Sequence, residues 1–235
     1  MNKGIFIALS GAILKQKHMD VFAQNIANAN TSGYKRERLT FKDYIIPVDN
    51  KPAGVEDGRA MADLSQHTID FSPGTLQRTG NPLDVAISGE GFFALEGDKY
   101  TRNGHFSIDG EGNLISQGGV KVLGDGGPIT IQGNDIEIST SGEITVDGLA
   151  AGRLKIVDFA DKNDLQKISG GMFTSTKAGE DISSHVNQGY LEGSNVNAIQ
   201  EMVQMLMSNR EFEAYQKMIR SFDDAASNTI SEMGK

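Results

Sequence analysis

The sequence predicts an α+β protein. Long N- and C-terminal helices pair as a coiled-coil-like unit around a central antiparallel β-sandwich or barrel. Three observations lead there. Ile5, Leu9, Ala12, Gln16, Met19, Ala23 and Ile26 recur at alternating spacings of four and three, a heptad seam. From Asn195 to Met233 there is neither Pro nor Gly, and Glu, Met, Gln, Lys and Ala dominate. Between these ends, short alternating apolar segments are separated by Gly, Asn and Asp, the pattern of an antiparallel β-domain.

The first helix is predicted over residues 3–29, roughly 40 Å long at 1.5 Å per residue. It stops at Asn28-Ala-Asn-Thr-Ser-Gly33, residues that end helices through side-chain bonds to the backbone or through positive φ. Lys35-Arg-Glu-Arg38 reads as a charged exit from it. Residues 41–48 suit a short strand or a turn of helix ending at Pro47, and 49–66 a polar loop. Thr68–Phe71 and Thr75–Arg78 read as short strands around the turn Ser72-Pro73-Gly74.

From Asn81 to Phe159 strands and turns alternate, and Asn103-Gly104 carries the strongest two-residue hairpin signal. Asp109-Gly-Glu-Gly-Asn113 reads as a β-turn. The 28 glycines agree with many tight turns. Gly193-Ser194-Asn195 caps the last helix. On that helix Met205, Phe212, Ile219, Ala226 and Met233 fall every seven residues. The companion line Met202, Asn209, Gln216, Asp223, Ile230 is polar at three successive positions, a device for fixing register.

The division this gives is a terminal helical assembly domain (1–34 with 195–235), a connector of short strands and loops (35–79 with 160–194), and an antiparallel β-domain (80–159). A piece of about 70–185 is expected to fold alone. The assembly seam is expected at Ile5, Leu9, Ala12, Met19 and Ile26 with Met205, Phe212, Ile219 and Ala226. Nothing nearby in sequence covers these lines, so they await one another and further copies.

Composition excludes several function classes. A net charge of −9 lacks the basic face that nucleic acid or an anionic membrane surface requires. No apolar run approaches the roughly 18 residues of a membrane span. With no cysteine, disulfides, thiolate catalysis and Cys-ligated metals are out. His18, His67, His105 and His185 lie in four segments without ligand spacing. The paired carboxylates Asp109/Glu111 and Asp223/Asp224 fall in a turn and on a polar helix face. No phosphate-binding, dinucleotide or nucleophile-elbow motif occurs. The expectation is a protein without catalytic residues, cofactor or metal.

Four segments together carry a resemblance. Asn25-Ile-Ala-Asn-Ala-Asn-Thr-Ser-Gly-Tyr-Lys-Arg36 resembles the N-terminal signature of bacterial flagellar rod and hook proteins. Gly80-Asn-Pro-Leu-Asp-Val-Ala-Ile-Ser-Gly-Glu-Gly-Phe-Phe93 is similar to the start of their β-domain. Tyr100-Thr-Arg-Asn-Gly-His-Phe-Ser-Ile-Asp109, with Gly112-Asn-Leu114, is similar to the next motif of that β-domain. Gln188-Gly-Tyr-Leu-Glu-Gly-Ser-Asn-Val-Asn197, with Arg210, Phe212 and Glu213, resembles their C-terminal element. The resemblance singles out Asn25, Asn28, Asn30, Thr31, Gly33, Tyr34, Asn195 and Asn197 as motif positions.

What this resemblance implies is an axial protein of the flagellar basal body. The length and a single compact β-domain are similar to the proximal rod type, more than to the longer distal rod type or the hook protein. Such subunits self-assemble into a helical tube, their terminal helices lining it, and transmit motor torque. The implied partners are other copies, neighbouring rod proteins and the export apparatus of type III kind. The implied location is the rod crossing the periplasm, reached without a cleaved signal peptide. The alternative is a secreted β-rich, glycan-binding adhesin with oligomerising helices, and a glycan-cleaving enzyme would need two opposed carboxylates in a cleft.

Overall fold

The computed structural model describes residues 3–46 and 59–233. The expected element end at Pro47 and the loop 49–58 lie outside the described residues, as does the side chain of Ala226. The architecture is α+β, with one helix at each end and a β-rich region between them. The chain forms two compact units, a helical unit of Met1–Ala27, Glu37–Ile69 and Asn197–Lys235, and a β unit of Asn28–Arg36 and Asp70–Val196.

In the helical unit, α1 (Lys3–Ala27) and α2 (Ala198–Met233) pack side by side. They run antiparallel in a single register. Gly4 lies against the Phe222 ring and Gly11 against the Tyr215 ring, Lys15 pairs with Glu211, and Asn25 bonds Glu201 at 3.1 Å. Helix α2 begins later than its expected cap. Its N-cap is Asn197, whose Oδ1 accepts the backbone N–H of Gln200 at 3.2 Å. Two strands, β1 (Arg36–Ile46) and β2 (Arg59–Asp70), pair with each other. Residues 59–66, expected as polar loop, are therefore strand. Pairing with β1 outweighs their weak β propensity.

In the β unit, six strands form the largest sheet, in the order Leu165–Lys167, Met172–Ser175, Lys99–Thr101, Phe92–Leu95, Ile156–Asp158, Glu180–Asp181. Smaller sheets of two and three strands accompany it. One continuous apolar core runs through Val85, Ile87, Phe93, Leu95, Phe106, Leu114, Val122, Ile144 and Val186. Phe93 meets Phe106 edge-on in that core, at 5.1 Å between centroids. Its neighbour Phe92 joins Phe71, Phe159 and Phe173 in a second aromatic cluster. Alternation along one strand feeds both clusters.

Asn103-Gly104 is not a hairpin. The strand before it, Lys99–Thr101, belongs to the large sheet, whereas Phe106–Ile108 pairs with Leu114–Ser116. The dipeptide is a buried crossing between sheets. The Gly104 carbonyl accepts the Val85 N–H at 3.0 Å, and a Cβ on Gly104 would fall 1.6 Å from the Val85 carbonyl oxygen. Glycine is needed there for close approach and not for a turn. Asp109–Asn113 is the turn of that second pair, with Asp109 Oδ1 accepting the N–H groups of Glu111 and Asn113 at 2.9 and 2.8 Å.

Candidate functional site

The helix pair meets along small residues and rings. An added Cβ at Gly4 or Gly11 would lie 2.6 Å from Phe222 or Tyr215, so only glycine lets the helices come this close. Ala8 and Ala12 are buried on the same side of α1. The large apolar side chains are elsewhere. Phe6, Ile7, Leu9 and Ile13 on α1 are exposed, and so are Ile199, Met202, Val203, Leu206, Met207 and Met218 on α2. At about 100° per residue, Phe6, Leu9 and Ile13 sit on the far side of α1 from Gly4 and Gly11. Ile199, Val203 and Leu206 sit likewise on the far side of α2 from Tyr215 and Phe222.

The expected seam residues flank the observed contact line. Ala12 is 5% exposed and Leu9 45% exposed. Ile5, Met19 and Ile26 on α1 are half-buried, as are Met205, Phe212 and Ile219 on α2. The aromatic partners of the contact, Tyr215 and Phe222, lie on neither heptad line of the sequence. The glycines they rest on carry no hydrophobic signal.

The motif residues make their bonds within each unit. In the helical unit Asn25 is fully buried. Its amide accepts the Glu37 N–H at 3.0 Å and donates to the Glu37 carbonyl at 2.9 Å, pairing with that residue as a strand neighbour would. Glu37 Oε2 lies 2.8 Å from His67 Nε2 on β2. Asn197 caps α2, as above.

In the β unit, Asn28 and Thr31 close a turn. The Thr31 N–H donates to the Asn28 carbonyl at 3.1 Å, and their side chains bond at 3.2 Å. Asn30 is exposed beside them. Gly33 follows at φ 69°, where a Cβ would meet the Asn103 backbone nitrogen at 2.4 Å. Buried Tyr34 has Lys167 Nζ 3.7 Å from its ring centroid. Asn195 ties separate segments together. Its Oδ1 accepts the Arg36 N–H at 2.8 Å, and its Nδ2 donates to the carbonyls of Asp70 and Ser72 at 2.8 and 3.0 Å.

Below these lies a buried ionic cluster that sequence reasoning missed. Lys35, expected in a charged exit from the first helix, is 2% exposed. Its Nζ donates to Glu192 Oε1 and to the Ser72 carbonyl, both at 2.8 Å. Arg102 Nε donates to Glu192 Oε2 at 2.5 Å. The rest of its guanidinium donates to the carbonyls of Gly89 and Gly91. Glu192 Oε1 also accepts the Gly74 N–H at 2.8 Å. Burial pushes the Lys35 pKa down, with Glu192 opposing. For Glu192, burial pushes upward, but Arg102 and Lys35 outweigh it and hold the carboxyl below its ordinary value. The signal that could have found the cluster is placement, because each member stands inside a different one of the quoted motifs.

Among the described residues no His, Asp or Glu side chains gather as a metal site, and no helix is long and apolar enough to cross a membrane. What this arrangement offers chemically is contact area and closure of the chain ends.

Comparison with known proteins agrees with that character. Residues 5–35 match the family described as flagella basal body rod protein, and 86–146 the D1 domain of the flagellar hook protein FlgE/F/G group. Residues 187–232 match the C-terminal element of flagellar basal body rod FlgEFG proteins. Over nearly full length the chain is 32% identical to the basal-body rod protein FlgG of Agrobacterium fabrum, covering 96% of this chain and 97% of that one. The chain belongs to the flagellar basal-body rod protein family. Other members of the family are as similar. FlgF of Caulobacter vibrioides is 30% identical over 100% of this chain and 99% of its own. FlgF of Escherichia coli is 33% identical over 96% of each. The three matched regions contain one member each of the buried cluster, Lys35, Arg102 and Glu192. No observation favours the adhesin alternative.

Proposed function

We propose that this rod-family protein is a structural subunit of the flagellar basal-body rod, polymerising through α1 and α2 into a helical tube that transmits motor torque. The observation that carries the reading is the unfinished surface of the helix pair. Both helices keep large aliphatic and Met side chains, Leu9 among them, in solvent on the sides turned away from their mutual contact. In the tube these side chains, with the half-buried Ile5, Met19, Ile26, Met205, Phe212 and Ile219, meet other copies and neighbouring rod proteins. The helices are then the assembly domain, packed coiled-coil fashion. The β unit is a sandwich or barrel of small sheets around one core.

Alignment length supports the proximal kind, FlgF. Caulobacter FlgF aligns over 247 residues and Agrobacterium FlgG over 256, so the FlgF match needs fewer gaps against this 235-residue chain. The reading places the protein in the rod across the periplasm, delivered by the flagellar export apparatus without a cleaved signal peptide, and working without catalysis or cofactor.

The test combines Ile26→Asp with Ile219→Asp. Each puts a carboxylate where an aliphatic side chain enters helix contacts, and an unpaired buried carboxylate is costly. Loss of swimming and of the chain from recovered rods is expected, with the β unit still folded by near-ultraviolet dichroism. Normal swimming would refute the assembly reading. Rescue of cells lacking FlgF but not of cells lacking FlgG separates the two kinds.

A further inference from the structure

Asn103-Gly104, the hairpin signal of the sequence, also belongs to a chemical class with other members in this chain. Where Asn or Asp precedes Gly, the glycine nitrogen can attack the side-chain carbonyl carbon, because no Cβ shields it. Asp109-Gly110, Asp125-Gly126 and Asp147-Gly148 share the pattern, and Asp57-Gly58 lies outside the described residues. The β unit treats its four pairs differently.

Three are held. Asn103 is buried, its Oδ1 accepts the His105 N–H at 3.0 Å and its Nδ2 donates to Gln117 at 3.1 Å. Asp109 uses both oxygens, Oδ1 for the N–H groups of Glu111 and Asn113, and Oδ2 for the Asn113 amide at 3.0 Å. These bonds, those from Asn113 foremost, hold its carboxyl below the ordinary value and so in the ionised form, the poorer electrophile. Asp147 Oδ1 accepts the Asp135 N–H at 3.1 Å, and a Cβ on Gly133 would fall 2.1 Å from its Oδ2.

Asp125 differs. With Gly126 it forms the exposed two-residue link between the strands Leu123–Gly124 and Gly127–Pro128. Its N–H donates to the Arg153 carbonyl at 3.1 Å, but its carboxylate has no hydrogen-bond or ion-pair partner among the described residues. Arg153 and Lys155, which line the same hollow, bond the Ser141 carbonyl at 3.0 Å and Asp181 at 3.3 Å instead. A Cβ on Gly126 would meet nothing within 4 Å, so a ring has room there.

We propose that Asp125-Gly126 is a modification site, converting spontaneously to the isoaspartyl form, a substrate for carboxyl methylation. The Gly126 nitrogen bonds Asp125 Cγ, and the carboxyl hydroxyl leaves as water with the amide proton, closing a succinimide. Water then adds at the former backbone carbonyl of Asp125, whose bond to the Gly126 nitrogen breaks. The chain now runs through the side chain, and a free carboxylate stands on Asp125 Cα. The water lost is regained, and no oxidant is needed. A methyltransferase using S-adenosylmethionine can place a methyl group on that carboxylate.

The experiment keeps the full chain in warm, near-neutral buffer, native in one arm and in denaturant in the other. Isoaspartate is read by methyl transfer from labelled S-adenosylmethionine with an isoaspartyl-specific methyltransferase, and placed by peptide mapping. In the native arm it is expected first at Asp125. Asp147 and Asp109 should be slower by about tenfold or more, the factor that one charge-assisted bond to be broken supplies. Asn103 should show no mass gain from loss of its amide. In denaturant the Asp-Gly pairs, equal in dipeptide, should react at similar rates, with Asn103 ahead of them. Native isoaspartate at Asp109 or Asp147 matching that at Asp125, or none at Asp125, would overturn the proposal. So would the native order persisting in denaturant, which would place the difference in local sequence and not in the fold.

Discussion

The helical unit and the β unit solve the problem of burial in opposite ways. The β unit takes in its aromatic and aliphatic side chains and charged ones as well, among them Lys35, Arg102 and Glu192, each with partners. The helical unit packs glycines against rings and leaves Phe6, Leu9, Ile13, Met202 and Leu206 in water. A buried ion cluster is costly to assemble and is retained only where every member is satisfied. An exposed apolar face is equally costly unless another surface covers it. The contrast teaches that one unit is complete within the chain, whereas the other keeps apolar side chains in solvent that the proposed assembly would cover.

The largest expected effect breaks the complete half. Glu192→Gln leaves Lys35 and Arg102 buried without a counter-charge, and removal of one partner from such a pair costs about 3–5 kcal/mol. Denaturant unfolding followed through the β unit's aromatic signal should show that loss, with the helical signal less affected. The same cluster revises the expected folding piece. Residues 70–185 omit both Glu192 and Lys35 and strand Arg102, so a piece of 28–196 should unfold cooperatively and at higher denaturant than 70–185.

Next comes Gly11→Val, which sharpens the comparison from the other side. Its side chain would collide with the Tyr215 ring, and overpacking of this kind costs about 1–3 kcal/mol. Proteolysis should open the helix pair while sparing the β unit. Asn197→Ala removes the cap of α2 and should cost about 1 kcal/mol, read as earlier fraying at Ala198 by hydrogen exchange.

Acid should act on the β unit with a defined sign. The Glu192 pKa is depressed in the folded state, so the unfolded chain binds the proton more readily. The stability it contributes is complete above the unfolded carboxylate pKa, about 4.3, and is lost as pH falls through the lower folded value. Denaturant midpoints taken downward from pH 5 should fall more steeply for the wild-type chain than for Glu192→Gln.

Much of the fold was legible in the sequence because it is set locally. The Asn, Thr, Ser and Gly run after Ile26 marks the end of α1 to within two residues, at Ala27. Asp109–Asn113 turns because its own side chains bond its own backbone. What was not legible depends on distant partners. Lys35, Arg102 and Glu192 each look like ordinary surface charge in their local context, and only the fold brings them within hydrogen-bonding reach. Asn103-Gly104 fits a hairpin by residue type, yet its glycine serves the approach of Val85. Apolar periodicity shows that a helix is amphipathic. It does not show which apolar residues face the partner helix and which face solvent, and Gly4 and Gly11, which make the intramolecular contact, have no apolar side chain to be seen.

Methionine footprinting tests the central contrast most directly. Met202, Met207 and Met218 are exposed on the helix pair, whereas Met172 is 8% exposed in the β-unit core. Peroxide converts accessible methionines to sulfoxide, which mass spectrometry counts residue by residue. In the isolated subunit the three helix methionines should oxidise quickly and Met172 slowly. In isolated rods Met202 and Met207 should slow to the rate of Met172, with Met172 itself unchanged. Equal oxidation of Met202 and Met207 in subunit and rod would contradict the account.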